Sequence, residues 1–124
     1  MYLHYILKDK IPVVCPDVFA WSKQFEDVEL RRVAMTEICG HTVFTSFLGI
    51  DHRFGDDGPP LLFETMIRKG VGDIPWNACE WLDYQKRYST WKEAEAGHQK
   101  ACEWLKSFDN LVFSAKRFLR QSND

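Results

Sequence analysis

No long apolar run, no excess of charge of one sign and no closely paired cysteines occur in this 124-residue sequence. The mid-chain stretch Thr42 to Ile50, bounded by His41 and Asp51, is nine residues long, whereas a membrane-spanning helix needs about twenty apolar residues. Sixteen Lys and Arg stand against eighteen Asp and Glu, a formal net charge of −2. No overall field therefore draws the chain to nucleic acid or anionic lipid. Cys15, Cys39, Cys79 and Cys102 are spaced by 24, 40 and 23 residues, with none of the short knuckles from which zinc sites are built. Buried free thiols are the expectation. The phosphate loops GxxxxGK[ST] and GxGxxG are missing, and so is the GxSxG elbow. The first residues, MYLHYILKDK, lack the apolar core of a signal peptide, from which a cytoplasmic location is expected.

What is present suffices for one core. With 45% hydrophobic and 15% aromatic residues, the composition excludes disorder. A chain of this length buries about two-thirds of its roughly 21,000 Å² extended surface on folding. No repeat, linker or composition break interrupts residues 1–124, so a single domain is expected, with an extension from about residue 109.

Tyr2 to Leu7 reads as a strand, Lys8-Asp9-Lys10 as a turn, and Ile11 to Val14 as a short return strand whose Pro12 suits an edge. A helix is predicted from Pro16-Asp17, with Val18, Trp21, Phe25 and Val28 along one stripe. Arg31 to Ile38 alternates, Val33 and Met35 on one face and Arg32, Ala34 and Thr36 on the other. Cys39-Gly40 makes a turn into His41 to Ile50, rich in residues that suit a pleated surface. Asp51 to Pro60, DHRFGDDGPP, must be a loop. Leu61 to Arg68 follows as a strand with Leu61, Phe63, Thr65 and Ile67 on one face, and Ala78 to Tyr88 is a further strand candidate. Thr90 and Glu93 form a T-x-x-E capping box, after which Trp91, Ala94, His98, Ala101, Leu105 and Phe108 step along one helical face. The tail from Asp109 is open between helix and strand. The predicted class is α+β, an antiparallel sheet of about five or six strands with two helices packed on one face.

The richest polar cluster is Asp51 to Glu64. His52 beside Arg53 could grip a phosphate or carboxylate, Arg supplying a bidentate fork, and Phe54 could anchor the loop or stack on a ring. The same Asp residues equally suit a solvated turn. A calcium loop is excluded, because Arg53 and Gly55 stand where oxygen ligands belong. Glu95 and His98 form a single ExxH, and a helical di-metal site needs a second; core packing, with a bond to a carbonyl, is the alternative for His98. Trp21 and Trp91 belong to helical core faces. Trp76 and Trp81 are less committed, and an aromatic beside Arg31, Arg32, Lys86 or Arg87 could form a stacking platform. Candidate ligand-binding residues are therefore Arg31, Arg32, Asp51, His52, Arg53, Phe54, Thr65, Trp76 and Arg87. No catalytic residue, metal or cofactor is assigned.

The segment HTVFTSFLGIDHRFGDDGPPLLFETMIR, and later RYSTWKEAEAGH, resembles a family of small uncharacterised bacteriophage and prophage proteins. Its pattern runs roughly V-S-T-V-F-L-G-x-D-H-x-F, a Gly-rich gap, G-P-P-L-L-F-E-T-M, then R-Y-S-T-W-x-E-A-E-A-G-H. The match covers Thr42 to Met66 and Arg87 to His98, with Phe25 and Arg31 to Val33 similar to an earlier F-E-x-x-x-R-R-V. Asp51, His52, Phe54, Pro59, Pro60, Glu64 and Thr65 fall on the motif; Thr45-Ser46, the cysteines and the extension after Phe108 depart from it. The family brings no activity. The resemblance implies a phage accessory protein in the host cytoplasm that acts by binding, as a counter-defence sponge for a nucleotide-derived immune signal. An adaptor or inhibitor of a host defence protein is the alternative, and a small hydrolase or transferase using His52 with Asp51 or Glu64 a third. The expected partner is a nucleotide-like small molecule or a host defence protein, with nucleic acid disfavoured, no membrane, and a homodimer as the default assembly.

Overall fold

The structure is a computed structural model that describes residues 3–53 and 57–122, with side chains up to residue 108. Strands β1 (Tyr5–Lys8) and β2 (Ile11–Val14) form a hairpin of their own. Its turn residues Asp9 and Lys10 both have positive φ, 51° and 67°, the primed geometry whose twist matches a two-residue connection. Asp17 caps α1 (Val18–Phe25) by accepting from the Phe19 and Ala20 amides. The stripe predicted to run on to Val28 is cut in two, because Asp27 accepts from the Leu30 amide and starts a separate turn, α2 (Val28–Arg31).

Four strands, β3 (Arg32–Ile38), β4 (His41–Phe47), β5 (Phe63–Lys69) and β6 (Trp81–Tyr88), form an antiparallel meander in that spatial order. The fold is thus α+β, with the six strands of the described residues divided between this sheet and the hairpin. The hairpin meets the sheet's end through the His4–Ile50 bridge and the Tyr5 amide on the Gly49 carbonyl, 2.8 Å. One helix, α3 (Trp91–Ser122), packs across all four strands, while α1 lies against β1 and α2. Residues beyond Asp109 continue that helix. The capping box is present in altered form: the Glu93 amide donates to Thr90 Oγ1 at 3.1 Å, and the Thr90 hydroxyl in turn donates to the Glu93 carboxylate at 3.0 Å. No helix among the described residues is long and apolar enough to cross a membrane. The four cysteines are free thiols.

On the helix side of the sheet, Phe47, Phe63 and Leu62 pack on Ala94 and Trp91 at one end. Val43 and Ile67 pack on Ala101, Cys102 and Leu105 at the other. The helix comes close because residue 97 is glycine; a Cβ there would lie 2.1 Å from the Tyr88 hydroxyl. A bulge between Arg32 and Ala34 breaks the alternation predicted for β3. Val33 consequently packs on the core, whereas Met35 pairs with Phe44 on the other side of the sheet.

Between the two apolar clusters lies a polar seam. His98, 6% exposed, sits with Nε2 2.8 Å from Thr36 Oγ1 and Nδ1 2.7 Å from Thr45 Oγ1. Thr45 is 2.6 Å from Thr65 Oγ1. Hydroxyls serve as donor or acceptor, so one neutral imidazole satisfies both contacts. His98 therefore binds threonine hydroxyls, not the carbonyl expected from its place on the stripe, and both its nitrogens are occupied in the core rather than offered to a metal. Burial pushes its pKa below the ordinary imidazole value.

Candidate functional site

The sheet face opposite α3 is open, and period-two alternation decides what it carries. Along the pairing register, Arg32, Ser46, Glu64 and Arg87 form one row across the strands; Met35, Phe44, Met66 and Gln85 the next; Thr42, Arg68 and Trp81 a third. Over this face curls the β5–β6 connection. Its Gly70 has φ +87°, a left-handed conformation that favours glycine, and the Ile74 side chain closes over it. The connection brings Ile74, Trp76 and Cys79 across from Phe44 and Met66, enclosing a cleft of about 330 Å³. Trp76, 77% exposed, leans on Trp81 at 5.2 Å between ring centroids, and Trp81 on Phe44 at 6.0 Å. A second hollow of about 210 Å³ shares Phe44, Ser46 and Trp76 with the first and is closed by Val28, Arg31 and Arg32. The two hollows adjoin across these shared residues and are together called the groove.

Arg68 lines the cleft while only 6% exposed. Its Nη2 donates to Thr42 Oγ1 at 3.0 Å and to the Gly72 carbonyl at 2.8 Å, and its guanidinium lies 5.3 Å from the Phe44 ring centroid. Nε is buried with no partner, and among the described residues no ion pair reaches this side chain. A buried cation without a carboxylate is costly to keep.

Arg31, which is half-buried, also has a buried Nε without a partner. Its guanidinium stacks 4.2 Å from the Phe25 centroid, and Nη1 donates to the Phe47 carbonyl at 3.2 Å. Burial lowers its pKa, with the nearby Asp27 charge opposing that shift. Arg32 pairs with Glu29 at 3.3 Å, and Arg87 with the Glu64 carboxylate at 2.9 Å.

Of the residues predicted from sequence, Arg31, Arg32 and Trp76 meet in the groove, and Arg87 joins them through Glu64 on its floor. Thr65 does not: it points to the other face of the sheet and is fully buried in the His98 seam. Asp51 holds the β4–β5 loop closed, its Oδ1 accepting from the Arg53 and Leu61 amides at 2.8 Å each. Arg53 Nε donates to the Pro59 carbonyl, and His52 Nδ1 donates to the Ile50 carbonyl. That loop is thus tied largely to itself. Phe54 and Asp56 lie outside the described residues. Sequence reasoning missed Arg68, Phe44 and Met66. The available signal was the alternation Glu64, Met66, Arg68 opposite Phe63, Thr65, Ile67, followed by Gly70 and Gly72.

No protein-family model, curated protein or solved structure matches the chain.

Proposed function

We propose that the protein is a binding module that sequesters a small nucleotide-like anion in the groove of its open sheet face, without turnover. The observation that carries this reading is Arg68, a buried guanidinium with no carboxylate partner among the described residues, lining a cleft walled by Phe44, Trp76 and Trp81. Aromatic faces take a planar base irrespective of its hydrogen-bonding edge, and a guanidinium takes phosphate through two parallel bonds. The resemblance to phage accessory proteins makes capture of a nucleotide-derived immune signal in an infected host the biological setting.

A host-protein adaptor is the second reading. It draws on the exposed apolar side chains of Ile11, Val14, Val18 and Phe19, the last 89% exposed. Hydrolysis through His52 has less support, since Glu64 is committed to Arg87 and Asp51 Oδ1 to the loop amides.

The test is a thermal-shift screen of the purified protein against mono- and dinucleotides, with the ligand recovered afterwards. Occupancy at a hundred times Kd stabilises the fold by about 2.7 kcal/mol, a rise of several degrees for a domain of this size. The expected result is a rise that vanishes in Arg68→Met, with the ligand chemically intact. No rise with any nucleotide, or an equal rise in Arg68→Met, would sink the proposal.

A further inference from the structure

We infer that the groove is built for a free nucleotide carrying anionic groups on both sides of its nucleoside, such as a 3′,5′-bisphosphate or a short dinucleotide. This rests on the proposed reading of the groove and specifies its ligand. Among the described residues, the buried side-chain nitrogens left without a partner are Nε of Arg31 and Nε of Arg68. They belong to the two hollows of one groove, which adjoin across Phe44, Ser46 and Trp76.

The register sets the spacing between Arg68 and Arg32, the residue that directly follows Arg31. Arg32 aligns through Ser46 with Glu64, two strands away, and Arg68 lies four residues further along β5. With strands about 4.8 Å apart and a rise of about 3.4 Å per residue, the backbones at the two ends stand about 17 Å apart. Arginine side chains reaching inward from both ends leave a gap wider than one phosphate. A nucleoside fills it, its base against Trp76 and Phe44 and a phosphate toward each guanidinium. Charge agrees with this arrangement: among the described residues, Arg32 and Arg87 are matched by Glu29 and Glu64, whereas Arg68 has no matching carboxylate and Arg31 only the nearby Asp27 that caps its own helix.

Calorimetric titration of the full chain with AMP, adenosine 3′,5′-bisphosphate and an eight-residue oligoadenylate tests the inference. The bisphosphate should bind at least about tenfold tighter than AMP, the return from one added charge-assisted contact, and the oligonucleotide more weakly than the bisphosphate. In Arg31→Gln the tenfold ratio should collapse toward one; Arg31→Met serves if that variant does not fold. Equal affinity for AMP and bisphosphate in the wild type overturns the two-anion inference and leaves the groove reading standing. Tighter binding of the oligonucleotide overturns the assignment to a free nucleotide. Failure of all three titrants to bind overturns the groove reading and the inference with it.

Discussion

Replacing His98 with leucine tests the polar seam between α3 and the sheet. Leucine keeps much of the volume but removes both hydrogen bonds, to Thr36 at 2.8 Å and to Thr45 at 2.7 Å. Thr45 retains Thr65 as a partner, and the half-buried Thr36 can regain water, so the loss is smaller than two fully orphaned hydroxyls. An unsatisfied buried hydroxyl costs about 1–3 kcal/mol, which puts the expected destabilisation near 2 kcal/mol, or about 6–10 °C in Tm at this chain length. The pH dependence gives a second readout. Because burial holds the folded pKa of His98 below its unfolded value of about 6.5, the unfolded chain binds the extra proton first as pH falls. The stability carried by neutral His98 is therefore complete above about pH 6.5 and is lost as pH drops toward the folded value. Urea unfolding followed by tryptophan fluorescence at pH 7.5 and 5.0 should show wild type losing more stability on acidification than His98→Leu. A leucine variant as stable as wild type at pH 7.5, with the same pH slope, would refute the reasoning.

Other substitutions separate competing effects. Gly97→Ala gains about 1 kcal/mol of helix propensity but forces the Tyr88 ring from a position 2.1 Å from the new Cβ. Overpacking of this kind costs about 1–3 kcal/mol, so a lower denaturant midpoint is expected, and a higher one would show that Tyr88 yields freely. Asp51→Ala should destabilise by about 1–3 kcal/mol by orphaning the Arg53 and Leu61 amides. Asp51→Asn, which retains an acceptor, should recover most of that loss in the same assay; if both lose equally, the charge rather than the two bonds holds the loop. Arg68→Met should leave urea stability within about 1 kcal/mol of wild type or raise it, since a buried charge without a carboxylate is exchanged for an apolar side chain; a loss beyond about 3 kcal/mol would make Arg68 a structural group.

Local rules account for much of the fold. Asp17, Thr90 and the turns Asp9-Lys10 and Cys39-Gly40 act through bonds and dihedrals confined to a few neighbouring residues, so their roles are legible in the chain itself. The same holds for the alternation of Phe63, Thr65 and Ile67 and for the face of α3 carrying Ala94, His98, Ala101 and Leu105, because period and burial are linked. Residue order alone also separates Glu64 from Thr65 on opposite faces of β5. What it does not contain is which strands end up central and which face of the sheet stays uncovered. The hairpin could have extended the main sheet; instead it stands apart, and a single helix covers one side. Only that arrangement buries Arg68 beneath the Gly70–Gly72 turn, sets Trp76 opposite Phe44, and brings Arg31 of α2 into the same groove. Turn and cap chemistry acts over a few residues, whereas a cleft is made by segments tens of residues apart whose meeting depends on how the whole chain buries its apolar surface.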